Sequence, residues 1–433
     1  HDLLPLVQQA KLLAKQYDAV IANPPYMGGK GMNAALKDFA KKQFPDSKSD
    51  LFSMFMERNL KLTNESGHLG FMTPFTWMFL SSYEKLRKLL LEKHTLSSLV
   101  KPSYTAFFDS AIVAICAFVM SKTHLGDWKG SFFDLEYLGS ADEQSPRFLK
   151  QLKDKSYFLC KNNDFKKIPG SPIAYWVSDK VREIFCKNSS IKDFSKGSTG
   201  LQTSDGERFI RIWSEISIKD LNLIWYKLAK GGAFRRWYGN VEHVVRWEND
   251  GFLIKEYVSD KYPYLKGNYG LVVKNESTYF SEGIVTSRVT SSSLSFRLKS
   301  NEEIYSDACT AIFPNNREFF LGVINSKVFS IIEKINPTLN FQASDLEKFP
   351  VKAEIFKIKE LYSNVTNCIN ISKRDWNSYE TSWNFTQNPI IRTQQPNLEQ
   401  AFNTWQQQNA DAVAEMKRLE EENNKLFIDA YGL

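Results

Sequence analysis

YDAVIANPPY, residues 17–26, joins a compact apolar run to an Asn-Pro-Pro-aromatic turn. A short run bounded by Asp18 and by the Asn-Pro break predicts a buried strand over Tyr17 to Ala22, in the core of a parallel sheet. The turn then sits at the strand's C-terminal end. Downstream, Leu51, Phe52, Phe55, Met56 and Leu60 recur at helical spacing, Asn64-Glu65-Ser66-Gly67 breaks the pattern, and His68 to Thr73 reads as another strand. A helix over 83–92, a short strand over 97–101 and a long buried strand over 109–121 extend the alternation. Such alternation predicts an α/β fold with a mostly parallel, Rossmann-like sheet, its ligands at the carboxyl ends of the strands.

Working outward, residues 1–140 form this α/β portion, and the polar, charged stretch 141–172 reads as a linker. From 173 to 351 the texture changes to short strands with Gly, Asn and Ser breaks, as in GSTGLQTSDGERF and KGGAFRRWYGN, which predicts a separate mixed α+β domain. Residues 352–433 read as helical, with a long amphipathic helix over 397–431.

A chain of 433 residues has length for two or three domains. Its five cysteines, Cys116, Cys160, Cys186, Cys309 and Cys368, are scattered and odd in number, which argues against a disulfide framework and against a zinc site. No metal is expected. The longest purely apolar run, Ala111 to Met120, is too short to cross a bilayer, so the expectation is a cytoplasmic protein without membrane attachment. A net charge of +7 with a pI near 8.9 mildly favours a polyanionic partner.

The turn carries a specific chemistry. The lone pair of an adenine amino group is delocalised into the ring, so methylating it requires acceptors aimed at its N–H bonds. Asn23 offers a side-chain carbonyl and Pro24 a backbone carbonyl, the paired prolines Pro24 and Pro25 fix the backbone, and Tyr26 offers a stacking face for a base swung out of the duplex. The competing reading is a plain surface turn, since Asn-Pro is a common breaker. Gly28-Gly29-Lys30-Gly31 lacks P-loop spacing and reads as a loop closing over DNA with Lys30 near a phosphate, or as a plain glycine turn.

IANPPYMGGKG, DLFSMFMERNLKLTNESGHLGFMTPFTWM and FFDSAIVAICAFVMSK resemble the gamma-class amino-methyltransferases, and above all the PglX family of BREX phage-defence adenine methyltransferases. Type IIG restriction-modification enzymes come second. The resemblance continues through GLQTSDGERFIR, FRRWYGNVEHVVRWENDG, NPTLNFQASDLEKFPV and SKRDWNSYETSWNF, nearly the whole chain. It implies site-specific transfer of a methyl group from S-adenosylmethionine to adenine N6 in double-stranded DNA. It further implies that Phe55 packs on the cofactor's adenine, that Asp50 helps to shape the cofactor pocket, and that Phe108, with Phe107 as substitute, stacks on the flipped base. A core-packing role competes for each aromatic.

A methyltransferase of this class needs a first strand ending in a glycine-rich turn, and neither the residues before Asn23 nor GNYGLVV, FFLGVIN or DAYGL supplies one. The cofactor-binding half is therefore expected upstream of His1, and the isolated chain is expected to bind S-adenosylmethionine weakly or not at all. Residues 173–351 then read as a target-recognition domain. Arg208, Arg211, Arg235, Arg236, Arg288 and Arg297, with Lys266, are its candidates for base edges and phosphates. Taken singly, each reads more readily as a solvated surface charge. The C-terminal helix reads as a spacer or as a docking surface for other defence proteins. A DNA-recognition module without chemistry, and an RNA or protein N-methyltransferase, are the alternatives.

Overall fold

The computed structural model describes residues 3–103, 114–135, 141–289, 293–335 and 341–433. It contains two compact units, His1–Lys187 and Asn188–Leu433.

The first unit runs α1 (Leu4–Ala14), β1 (Tyr17–Ala22), α2 (Ala34–Gln43), α3 (Leu51–Leu62), β2 (Thr63–Pro74), α4 (Glu84–Lys93), β3 (Thr95–Lys101), β4 (Ile115–Ser121), β5 (Lys129–Asp134), α5 (Ala141–Asp154), β6 (Phe158–Lys161), α6 (Asn162–Phe165) and α7 (Asp179–Lys187). Its sheet has the order β1-β2-β4-β3-β5-β6. Both β1 with β2 and β3 with β5 pair in parallel, but β4 runs antiparallel to β2 and β3, and β6 runs antiparallel to β5. The sheet is thus mixed rather than mostly parallel. Its four like-directed strands, β1, β2, β3 and β5, bring their carboxyl ends to one edge.

The core lies on one face. Phe52, Met56 and Leu60 of α3, spaced four apart, and Leu86, Leu90 and Leu91 of α4 pack over Leu69, Phe71, Leu99, Phe118 and Phe132 of the sheet. Burying each such side chain contributes roughly 1.5–3 kcal/mol. On the opposite face the row Ile21, Gly70 and Val119 is open, and Ile21 is 84% exposed. The strand expected to lie in the core is therefore the sheet's outer strand, and its apolar run faces solvent. Helix α1 likewise buries no residue.

Two further expectations are corrected here. The Asn64–Gly67 break does not end a helix before a separate strand; it lies within β2, where the register slips between Tyr17 paired with Thr63 and Ala19 paired with His68. Gly67 is needed there, because a Cβ would meet Asp18 O at 2.8 Å and Thr63 Cγ2 at 2.6 Å. The stretch 141–172 is not a linker. It supplies α5 and β6, and its Cys160, Phe165 and Ile168 are buried, as are Ile173 and Tyr175 just beyond it. Polar composition concealed these few inward positions.

Among its described residues the second unit holds two four-stranded sheets. Its strands are β7 (Ser189–Ser190), β8 (Ser198–Thr199), β9 (Ile210–Ile212), β10 (Trp225–Ala229), β11 (His243–Arg246), β12 (Gly283–Ser287), β13 (Phe296–Lys299), β14 (Glu303–Tyr305), β15 (Cys309–Ile312) and β16 (Pro350–Val351). The sheet orders are β14-β10-β11-β9 and β13-β12-β15-β8, with β7 and β16 pairing apart. Its helices are α8 (Gly206–Phe209), α9 (Glu248–Lys261), α10 (Arg317–Ile324), α11 (Ser330–Ile335), α12 (Ala343–Glu347), α13 (Lys359–Trp376), α14 (Pro389–Arg392) and α15 (Leu398–Tyr431).

The last helix matches its expected span, capped by Asn397, which accepts from Gln400 N, and stopped by Gly432 in the left-handed region. Its buried stripe is Leu419, Asn423, Phe427 and Tyr431, whereas the apolar Leu398, Phe402 and Val413 are exposed. Asn423 donates to Gly322 O at 3.0 Å, and a Cβ on Gly322 would meet Val365 Cγ2 at 2.9 Å, so α10, α13 and α15 meet closely at this glycine. No helix among the described residues is long and apolar enough to cross a membrane.

Candidate active site

The turn Asn23–Tyr26 leaves the carboxyl end of β1 beside the carboxyl end of β2, where Thr73 and Pro74 pair with Cys116 and Ile115. Pro24 is buried and holds the turn down, while Asn23 and Pro25 are exposed. The Tyr26 hydroxyl lies 3.4 Å from Asn23 Oδ1, a long and weak contact. Tyr26 is 44% exposed, and its ring meets Phe52 in a T-shaped pair, with centroids 6.1 Å apart and planes at 82°. Phe52 in turn packs on Tyr83 at 5.5 Å. The tyrosine is therefore partly open to solvent and partly buttressed by Phe52.

Burial raises the Tyr26 phenol above its ordinary pKa, with a smaller contribution from Cys116. Burial also pushes Tyr83 up to about 12, aided by the Asp50 charge, and pushes the Cys116 thiol to about 12. All three groups are neutral at physiological pH. Below the turn, Trp77 Nε1 donates to Thr73 Oγ1 at 3.1 Å, and Thr73 Oγ1 lies 3.8 Å from Cys116 Sγ.

Asp50 is the N-cap of α3, its side chain accepting from Phe52 N at 3.3 Å. The same oxygen, Oδ1, accepts from Met27 N at 2.8 Å. Leu51 N donates to Met27 O at 3.1 Å, and Gly28 and Asp50 form an isolated antiparallel bridge. The glycine segment continues as a turn closed by Gly31 N to Gly28 O at 2.9 Å, with Lys30 exposed. Met32, Ala40, Phe44 and Met54 then form a small core that seats α2. Phe55 lies one turn along α3 and is 39% exposed, so it is not a core residue. Phe107 and Phe108 lie outside the described residues.

The recognition candidates separate by environment. Arg297, on β13, is 1% exposed, and burial lowers its pKa. It cannot reach a phosphate, and the expectation for it is corrected. Arg235 Nη1 bonds Asp375 Oδ2 at 2.9 Å and lies over Trp376 at 4.8 Å, while Arg236 Nη1 bonds Glu420 Oε2 at 3.2 Å. With the Trp237 Nε1 bond to Glu420 Oε1 at 2.8 Å, these residues pin the 234–238 segment to α13 and α15. Arg211 is partly held by the carbonyls of Glu207 and Ile210, and Arg288 is half-buried. Arg208, stacked on Phe209 and Tyr257 at 4.9 and 5.2 Å, is exposed, as is Lys266.

Sequence reasoning missed Phe52 and Tyr83 as supports of Tyr26, and Arg87 as the post beneath them. Arg87 is fully buried and donates to the carbonyls of Trp77, Leu80 and Gly170. Only a single arginine within the helical pattern KLRKLLLEK signalled it. Among the described residues no cluster of His, Cys, Asp and Glu is placed to hold a metal ion.

Residues 6–108 match the Eco57I restriction-modification methylase family. The chain is 38% identical over 405 residues to the adenine-specific methyltransferase BrxX of Escherichia coli O9:H4 (strain HS), covering 90% of this chain and 32% of that protein. It is 32% identical over 460 residues to the adenine-specific methyltransferase PglX of Lacticaseibacillus casei (strain Zhang), covering 100% of this chain and 38% of that protein. The chain thus spans about a third of the length of these relatives. Among solved structures, the type IIL restriction-modification enzyme MmeI in complex with DNA shares the fold at TM-score 0.59 and 13% identity, covering 96% of this chain and 54% of that one.

Proposed function

We propose that this chain, similar to the BrxX and PglX adenine-specific methyltransferases, belongs to their family and supplies the target-base side of a site-specific DNA adenine-N6 methyltransferase of a BREX-type phage-defence system, together with a DNA-recognition unit. The observation that carries the proposal is the Asn23–Tyr26 turn at the carboxyl edge of the sheet, with Tyr26 partly exposed and braced by Phe52. The long contact between the Tyr26 hydroxyl and Asn23 Oδ1 is readily exchanged for an adenine amino group. Asn23 Oδ1 and the Pro24 carbonyl then accept its two N–H bonds and return electron density to nitrogen, while Tyr26 stacks on the flipped base and offsets part of the few kcal/mol lost on unstacking.

S-adenosylmethionine would supply the electrophilic methyl group. Phe55, exposed on α3, fits one wall of its site, and the open face and free edge of β1 suit the attachment of further strands. The remaining walls, glycine-rich turn included, would come from parts of the parent protein outside this chain. In the second unit Arg208, Arg211, Arg288 and Lys266 are the candidates for DNA contact, joined in the first by Lys30. The protein would act in the cytoplasm.

The test is transfer of labelled methyl from S-adenosylmethionine to DNA by the full-length protein, with digestion to nucleosides. N6-methyladenine should form, and Asn23→Ala should abolish it while salt-sensitive DNA binding persists. No N6-methyladenine from the wild type, or its survival in Asn23→Ala, would sink the proposal.

A further inference from the structure

We infer that Asp50 is a positioning residue for the target-base clamp: its carboxylate fastens the peptide following Tyr26 to the first turn of α3. The inference rests on the methyltransferase reading above and assigns Asp50 to the base side of the site instead of the cofactor pocket. One oxygen does two tasks, since Oδ1 accepts from Met27 N at 2.8 Å and from Phe52 N at 3.3 Å. The first bond holds the residue directly after the stacking tyrosine. The second holds the residue whose ring braces that tyrosine edge-on at 6.1 Å. Leu51 N to Met27 O at 3.1 Å closes the connection from the other direction, and the Gly28–Asp50 bridge extends it.

The segment between Met27 and Asp50, which stand 23 positions apart, is thereby closed, α2 included, into a loop whose two ends share one carboxylate. Both bonds to Oδ1 are charge-assisted, and the carboxylate also sits at a helix N-terminus, where negative charge is favoured. The second oxygen, Oδ2, faces the backbone at Gly28. A Cβ on Gly28 would stand 3.4 Å from it, so a glycine at that position lets the backbone run close by. The Asp50 charge is felt by Tyr83, the aromatic behind Phe52. Asp50 thus joins Tyr26, Phe52 and Tyr83 into one block. The same helix carries Phe55 on its exposed side, so fixing the clamp to α3 also fixes its distance from that residue.

Two substitutions separate the tasks. Serine caps a helix well, but its short hydroxyl does not span to Met27 N; asparagine keeps an acceptor at the Oδ1 position and so retains both bonds. In the full-length protein, Asp50→Ser should lower kcat for adenine methylation about 100-fold, the scale of loss that follows a misplacement of about 1 Å. KM for S-adenosylmethionine should stay within about two-fold, and Asp50→Asn should recover most of the rate because it retains the acceptor. Hydrogen exchange read by mass spectrometry should quicken at the amides of residues 27–31 in Asp50→Ser and not in β3.

A rise in KM for S-adenosylmethionine with kcat intact would make Asp50 a cofactor residue and overturn the inference. Unchanged exchange at 27–31, or exchange quickened throughout the first unit, would overturn it as well, the latter by making Asp50 a residue of the fold at large. If the wild type transfers no methyl group, the adenine-methyltransferase reading falls, and the exchange measurement alone then decides whether Asp50 holds the turn.

Discussion

Replacing Arg87 by methionine should cost the first unit about 3–5 kcal/mol, and the figure follows from four hydrogen bonds. Nε and Nη2 donate to Gly170 O at 3.0 and 2.8 Å, and Nη1 donates to Trp77 O at 2.8 Å and Leu80 O at 2.7 Å. The side chain is fully buried, so these carbonyls have no direct access to water through it. Methionine keeps most of the stem volume and removes every donor. Three carbonyls lose the Arg87 donor at roughly 1–3 kcal/mol each, the low end applying to Leu80 O, which keeps Tyr83 N at 3.1 Å, and relief from burying a cation offsets part of that sum. For a unit of this size the net loss corresponds to a fall in melting temperature of ~6–20 °C. Urea unfolding followed by circular dichroism gives the free energy. Hydrogen exchange locates it, and the amides of 77–83 should open first because Arg87 ties that strap to α4. A loss below about 1 kcal/mol, or exchange unchanged in the strap, would refute the view that Arg87 is the post behind Tyr83, Phe52 and Tyr26.

Two further substitutions probe the second unit. Glu420→Ala should destabilise it by about 2–3 kcal/mol in urea unfolding, chiefly because the buried Trp237 Nε1–H loses its acceptor while Arg236 loses a partly exposed ion pair; no loss would show that α15 does not hold the 234–238 segment. Lys299 is 1% exposed and burial lowers its pKa from 10.5 to about 8, so the folded state disfavours its charged form; the penalty is full below pH 8 and is relieved as pH rises toward 10.5. Between pH 7.5 and 10 the stability of the wild type relative to Lys299→Met should therefore improve by about 2 kcal/mol, and a pH-independent difference would mean that Lys299 titrates normally.

Local elements were legible because their signals are local. The span Tyr17–Ala22 was readable from one apolar run, and Leu51–Leu62 from the spacing of Phe52, Met56 and Leu60. The clamp motif was equally readable, since Asn23, Pro24, Pro25 and Tyr26 are contiguous and their chemistry does not depend on distant partners for its recognition. The long C-terminal helix was bounded by its own Asn397 and Gly432.

What the sequence by itself determined, then, is the α/β alternation, the place of the clamp after a strand, and the family resemblance. Tertiary structure alone decided where those pieces stand. β4 enters between β2 and β3 in the reverse sense, which no periodicity records, because strand order is set by pairing between distant segments. β1 became an outer strand with Ile21 bare, although its apolar run reads the same in a core or at an edge. Arginines of one appearance met three fates: Arg297 buried, Arg235 and Arg236 pinned, Arg208 exposed. A guanidinium's role depends on the carboxylates, carbonyls and rings that folding brings to it, and these come from residues up to 184 positions away, as with Arg236 and Glu420.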